Sequence, residues 1–342
     1  VRPIDNPPNP WLDTHVEWLD EVAPPDAKLE VYEEHARSIL AHNDSPDIPF
    51  RWSLNPYRGC YHACAYCYAR PSHELIGFGA GTDFERKLVV KTNAAALLRE
   101  QFERPSWRGE TISLSGVTDP YQPLEAHYRV TRACLEVCLD YRNPVQVITK
   151  GALIRRDLDL LRALHEHARV SVAISLPILD AELARALEPG ASPPARRLAA
   201  LAELAAAGLD CGVSLGPVLP GLNDAAIPET LQAAAEAGAR WAFMILLRLP
   251  GAVESVFVQR LHEAVPLRAA KLVHAIEDMR GGKHHDPRFG ARMRGEGPRW
   301  AAIEGLFAAH CRRLGLAHGG EVRKLDATPS PFRRPKAQLE LW

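Results

Sequence analysis

Short apolar runs alternate with longer stretches of helical composition through the middle of this chain. Residues 50–54 (FRWSL) read as a strand, and residues 87–91 as a further or edge strand. Residues 111–115 (TISLS), 145–149 (VQVIT), 170–176 (VSVAISL), 211–215 (CGVSL) and 241–247 (WAFMILL) follow as strands. They are short and mostly apolar, as strands buried on both faces should be. Between them lie predicted helices at 94–102, 128–139, 155–167, 195–207 and 228–237. Leucines at 158, 161 and 164 mark one helical face, and Gly208 is a natural C-cap. The pattern gives six βα-type units, with crossovers long enough to return each strand parallel to the last. An open doubly wound sheet and a barrel both satisfy it.

Outside this core the pattern weakens. Residues 1–27 are proline-rich and irregular, and 29–40 (LEVYEEHARSIL) read as a short helix. Beyond Pro250, residues 261–279 are helical with a break near Pro266, and 300–314 form a last helix. Residues 280–298 read as a Gly/Arg/His-rich surface loop, and 328–342 as a tail extended over the surface or partly disordered. The expected organisation is an N-terminal extension over 1–49, a core over 50–250 and a C-terminal extension over 251–342.

Composition adds little to this picture, but charge position does. The formal net charge is -1 over 342 residues. Residues 1–50 carry eleven Asp/Glu against three Lys/Arg, whereas 271–342 carry fourteen Lys/Arg against eight Asp/Glu. The basic end reads either as a solvated surface or as a face for a polyanion. There is no apolar leader and no run of eighteen apolar residues, so no membrane partner is expected. Seven cysteines, an odd number in a chain this long, speak against a disulfide scaffold. A cytoplasmic, reducing location is expected.

The chemically specific stretch is residues 55–70, NPYRGCYHACAYCYAR, which holds Cys60, Cys64 and Cys67. Thiolates at such spacing suit zinc or an iron–sulfur cluster. A structural zinc site needs four ligands, and no fourth cysteine is near; His62 sits at a cramped spacing between two of them. Three thiolates on a four-iron cluster leave one iron open to another ligand.

This CxxxCxxC loop, with an aromatic before the last cysteine and at the end of the first strand of a βα series, resembles the radical S-adenosylmethionine (radical SAM) superfamily. The resemblance covers about residues 50–249. It implies an α/β fold, the partial (β/α)6 TIM-like barrel of that superfamily, with N- and C-terminal extensions. It also implies a 4Fe-4S cluster on Cys60, Cys64 and Cys67, with S-adenosylmethionine on the open iron. Reductive cleavage would give a 5′-deoxyadenosyl radical that abstracts hydrogen from a substrate, with an electron donor such as flavodoxin or ferredoxin as partner. Tyr66 takes the position of an adenine contact. Ser115, Gly116 and Asp119 replace the usual Gly-Gly-Glu run, with Asp119 able to meet the methionine ammonium. Lys150 at one strand end is a candidate for the cofactor carboxylate, Ser175 at another for its ribose, and Asn223 for the adenosine. His62 is better read as a supporting or solvent-facing group than as a ligand.

Together with TDPYQPLE at 118–125, the loop is similar to the group related to spore photoproduct lyase. That relation implies lesion repair or modification of a nucleic-acid base. It asks for a thiol hydrogen donor, while Arg248, by its place at the end of the last strand, could reach a carboxylate or a substrate phosphate. Cys211 is the candidate for that donor, although its place at the start of a strand points away from the loop. Lys283, His284, His285, Arg288, Arg292, Arg294 and Arg299 would then touch phosphates. Two further readings remain: action on a small molecule, peptide or protein, and a non-enzymatic iron–sulfur electron-transfer or sensing role.

Overall fold

The computed structural model describes residues 6, 7, 9–11, 28–319 and 329–335. Most of the proline-rich lead and part of the tail lie outside these residues. In chain order the elements begin with β1 (Glu30–Glu34), β2 (Leu40–His42), β3 (Trp52–Leu54) and β4 (Tyr57–Arg58). Then come α1 (Thr82–Arg86), β5 (Lys87–Lys91), α2 (Ala94–Glu103), β6 (Ile112–Leu114), α3 (Glu125–Tyr128) and α4 (Val130–Asp140). The series continues with β7 (Val145–Thr149), α5 (Leu158–His167), β8 (Val170–Ser175), α6 (Ala181–Leu187), α7 (Pro194–Ala206) and β9 (Asp210–Val218). It closes with α8 (Ile227–Glu236), β10 (Trp241–Leu246), α9 (Val253–Ala264), α10 (Pro266–Asp278), α11 (Gly297–Leu314) and β11 (Ala317–His318).

The main sheet runs β11-β10-β9-β8-β7-β6-β3-β2. The six expected strands, β3 and β6 to β10, lie side by side in sequence order and all parallel. A doubly wound sheet would reverse direction at a switch point. None occurs here, so the chain winds one way, as an α/β barrel does. β2 joins antiparallel at one edge and β11 parallel at the other, and the two edges are not paired with each other among the described residues.

Burial follows the pattern read from the sequence. All six positions of β8 are buried. Helix α5 turns Leu160, Leu161 and Leu164 onto the sheet, and α4 turns Val130, Cys134, Leu135 and Cys138. Each such leucine contributes about 1.5–3 kcal/mol by leaving water.

Residues 29–40 are not the helix expected. Glu30–Glu34 is a strand, paired parallel with Lys87–Lys91, which pairs antiparallel with β4. Its Glu content favours helix, but the unpaired backbone edge of β5 offers a ladder that local propensity does not record. No described helix is long and apolar enough to cross a membrane.

Candidate active site at the C-terminal ends of the strands

Because the six strands are parallel, their C-terminal ends share one rim. The loops leaving that rim hold residues 55–70, 115–124, Lys150, the end of β8, residues 219–224 and Arg248.

The cysteine loop leaves β3 and is buried: Cys60 and Cys64 are each 7% exposed, and Cys67 is half-buried. Its backbone folds on itself, with Ala63 N–H donating to the Cys60 carbonyl and Cys67 N–H to the Cys64 carbonyl. Burial pushes all three thiols up, Cys64 to about 12. Cys64 and Cys67 raise the proton affinity of Cys60 further, and Cys67 that of Cys64, as like charges brought together must. A metal that binds them must displace protons.

The two sequence blocks noticed together hold each other physically. Asn55 Oδ1 accepts from Val117 N–H (3.0 Å) and Thr118 N–H (3.4 Å). Gln122 Oε1 accepts from Tyr61 N–H (2.9 Å), and its Nε2 donates to the Gly59 carbonyl (3.3 Å). Tyr57 Oη donates to buried Glu125, which also receives Thr131 N–H and Arg156. Thus TDPYQPLE is the clamp on the cysteine loop.

Arg70, fully buried, closes the loop from below. It donates to the Cys64 carbonyl (2.9 Å), to the Ala80 and Gly81 carbonyls, and to Glu85 (2.5 Å). On another side Gly190 packs directly on the loop: a Cβ there would overlap the Tyr61 carbonyl oxygen. Gly190 N–H also donates to the His62 carbonyl at 3.0 Å. Gly190→Ala should therefore displace the loop and lower cluster affinity about 10–100-fold, as loss of ligand support does. Iron per chain after anaerobic reconstitution, with circular dichroism unchanged, is the check; full iron loading would contradict this.

Asp119 ties the clamp to β7. Its carboxylate accepts from Thr149 Oγ1 (2.5 Å), Lys150 N–H (2.7 Å) and Tyr121 N–H (2.9 Å), and His62 Nδ1 lies 3.3 Å away. Burial alone would raise its pKa. His62 and these hydrogen bonds outweigh it and hold the carboxyl at about 2. Both oxygens already have protein donors, so in this structure Asp119 positions the loop rather than presenting a free carboxylate to an ammonium group. His62 is only 2% exposed, which removes the solvent-facing reading.

The depressed Asp119 value has a sign. The folded pKa lies below the ordinary 3.8, so the contribution is present above pH 4 and is lost as pH falls toward 2. Asp119→Asn should lower stability by about 2 kcal/mol at pH 7 and reduce the wild-type loss between pH 4 and 2. Urea titrations of both proteins at pH 7 and pH 2.5 measure it; an equal difference at the two pH values would contradict the assignment.

Lys150 and Ser175 are brought together, Nζ to Oγ at 3.0 Å, with Nζ 5.6 Å from the Tyr66 ring centroid. Tyr66 is buried, and its hydroxyl donates to Glu188. Glu188 is paired with Arg197, which also donates to the Ser175 carbonyl at 3.1 Å. Burial raises the Glu188 pKa, and Arg197 opposes it. Glu188 and Arg197 had no signal in the sequence, since Tyr66 and Glu188 are 122 residues apart.

Ser115 and Gly116 have φ of 141° and 128°, and the Gly116 carbonyl accepts from Tyr68 Oη at 2.6 Å. A Gly116 Cβ would make ordinary contact, its nearest neighbour being Ser53 at 3.7 Å. The positive φ, not crowding, demands glycine.

Asn223 is placed differently from expectation, and Cys211 lies at the start of its strand as expected. Asn223 is buried and occupied: Oδ1 accepts from Leu219 N–H (2.6 Å), and Nδ2 donates to the Pro177 and Pro217 carbonyls. It joins two rim loops instead of facing an adenosine. Cys211 is fully buried in the second position of β9, opposite Val172, at the other end of the sheet from the cysteine loop. That position removes it as hydrogen donor. Arg248 does reach the rim, its guanidinium 5.4 Å from the ring centroid of Tyr68.

Among the described residues, no three His, Cys, Asp or Glu side chains are grouped as ligands of a single metal ion. A cluster places a different demand, since each thiolate binds its own iron. Three buried thiols on one clamped loop, with no fourth cysteine beside them, fit a four-iron cluster with one open iron.

Comparison with known proteins agrees with this geometry. An uncharacterized protein of Mycobacterium tuberculosis (strain ATCC 25618 / H37Rv) is 44% identical over 221 residues, 64% of this chain and 65% of that protein. The chain thus spans slightly less than two thirds of this relative's length. An uncharacterized protein of Methanocaldococcus jannaschii is 27% identical over 198 residues, 58% of this chain and 71% of that protein. The solved structure of spore photoproduct lyase complexed with dinucleoside spore photoproduct superposes with a TM-score of 0.63 at 16% identity. It covers 88% of this chain and 87% of the other. At that identity the likeness is one of fold. Residues 54–234 match the Radical SAM superfamily, and with the cysteine loop and the rim described above, the chain belongs to that superfamily.

Proposed function

We propose that this chain is a radical SAM enzyme that abstracts hydrogen from a nucleic-acid base, in lesion repair or base modification. The observation that carries the chemistry is the buried three-thiol loop clamped by Gln122, Asn55 and Arg70. Cys60, Cys64 and Cys67 would hold a 4Fe-4S cluster. When bound, the cluster and S-adenosylmethionine supply one-electron cleavage and a 5′-deoxyadenosyl radical.

The chain's own residues hold and shape the site. Lys150, kept near Ser175 and Tyr66, supplies a cation for the carboxylate of the cofactor. Ser115 and Gly116 supply backbone beside the loop. Tyr66 and the Glu188–Arg197 pair wall the site from water, which a reactive radical requires. The rim as the mouth of a partial barrel, a core over 50–250 flanked by extensions, a cytoplasmic location and a flavodoxin or ferredoxin as electron donor belong to the same proposal.

Support for a base as substrate comes from the shared fold with spore photoproduct lyase and from Arg248 at the rim. The test is anaerobic turnover with single-stranded DNA deuterated at the thymine methyl groups. Deuterium appearing in 5′-deoxyadenosine is expected. Product formed without label, at the same rate with and without DNA, would refute the substrate class while leaving the radical chemistry standing.

A further inference from the structure

Segment 280–299 is less free than its composition implies. Arg288 is bound to Asp286 (2.6 Å), Arg292 to Asp47 (2.6 Å) and Arg294 to Glu304 (2.5 Å). Arg299 lies 3.9 Å from Asp224, and His284 sits between Glu254 and Glu277. These five of the seven expected phosphate contacts are therefore engaged within the protein.

Of the other two, Lys283 and His285, the histidine sits beside two arginines outside that set, Arg280 and Arg248. Arg280 is 6% exposed, and its Nη2 donates to the Leu247 carbonyl (2.7 Å), yet its Nε and Nη1 have no acceptor. Arg248 Nε is buried without an acceptor, and its Nη1 meets only the Met293 sulfur at 3.8 Å. His285 Nδ1 is likewise buried and unpaired. Leaving charged donors buried without partners costs more than an ordinary missing hydrogen bond.

Two segments supply the three groups: Arg280 Nη2 donates to the Leu247 and Arg292 carbonyls while Arg248 Nη1 meets the adjoining Met293, and His285 shares the segment of Arg280. Burial lowers the proton affinity of each, and Arg248 lowers those of Arg280 and His285 further. The acids in reach, Asp47 and Asp286, are already held by Arg292 and Arg288. The loop is fixed, with Leu246 N–H on the Met293 carbonyl (3.0 Å) and Glu296 N–H on the Met279 carbonyl (2.8 Å). Beside this group, Arg280 also lines a cleft of about 260 Å³ that Arg248 and His285 do not line, and its carboxylates Asp286, Glu296 and Glu304 each face an arginine. That volume is below the range of whole-ligand sites and suits one small group.

The geometry points to an anion subsite, formed by Arg248, Arg280 and His285 at the C-terminal end of β10, that holds a phosphate of a nucleotide-type substrate. Donors arriving from three side chains match a tetrahedral group with several oxygens better than a planar carboxylate. The assignment deepens the proposed function and relies on it for the kind of substrate.

Isothermal titration calorimetry on the full reconstituted chain tests it, using inorganic phosphate, thymidine 5′-monophosphate and a thymidine dinucleotide at constant ionic strength. Saturable binding is expected, weakened about tenfold or more in both Arg280→Gln and His285→Ala with cluster absorbance retained. His285 Nδ1 has no hydrogen-bond partner among the described residues, so its replacement reports on the subsite even if Arg280→Gln misfolds. Cys64→Ala should keep phosphate binding while losing 5′-deoxyadenosine formation, which separates this assignment from the radical chemistry. Tighter binding of the dinucleotide supports a nucleic acid as the source; equal binding of the mononucleotide supports a free nucleotide. No saturable binding, binding unchanged in both variants, or displacement of phosphate by S-adenosylmethionine would each overturn it.

Discussion

Cys64→Ala is expected to leave a folded protein with background iron and no detectable 5′-deoxyadenosine. Cys64 is the middle thiol of the loop, and its pKa responds to Cys67, Lys150, Glu188 and Arg197. It therefore faces both the other thiols and the groups placed to meet a cofactor. Two remaining thiolates leave two irons without protein ligands, and the cluster is not retained. Alanine fits the space of a small buried side chain, so the fold should survive with a modest loss. Iron content, the cluster's visible absorbance and product analysis after dithionite reduction measure the effect. Product from cluster-free protein would refute the assignment.

Arg70→Met should damage fold and site together. Arg70 is fully buried and Glu85 is 1% exposed, so removing the cation leaves the buried carboxylate with Arg260 alone, at 3.4 Å. The loss approaches, without reaching, the about 3–5 kcal/mol of a buried charge stripped of its partner. The second effect is local: the Cys64, Ala80 and Gly81 carbonyls lose their donor, and the loop loses its floor. Lysine cannot reproduce the planar fork, so Arg70→Lys should recover little of either loss. Urea unfolding of cluster-free protein isolates the first effect, and iron per chain after reconstitution reads the second. A stability within about 1 kcal/mol of wild type, with full iron loading, would contradict the role.

Much of the frame was legible because its signals are local. The strand at 145–149 is found at the predicted residues, and those at 170–176 and 241–247 within one. The strand at 170–175 is buried at every position, while the other two keep half-buried residues on one face or at the centre. The cysteine spacing was legible for the same reason. What local pattern does not carry is pairing at a distance. Residues 29–40 resembled a helix because their neighbour, β5, lies more than fifty residues on. Gln122, Glu188 and Arg197 were invisible as site residues because each acts on a group far away in sequence. The basic segment left a solvated surface and a polyanion face both open, whereas its arginines are engaged by acids, Arg288 by Asp286 in the same segment and Arg292, Arg294 and Arg299 by acids elsewhere in the chain. Asn223 looked like a cofactor contact because polar strand-end residues often are; its side chain instead joins two loops.

The most direct test of the central claim is a single anaerobic incubation. Wild-type chain with a fully loaded cluster, dithionite and S-adenosylmethionine is analysed for 5′-deoxyadenosine and methionine. The account predicts both products in equal amounts, formed only when the cluster is reduced. S-adenosylmethionine recovered intact, with the cluster loaded and reduced, would contradict it.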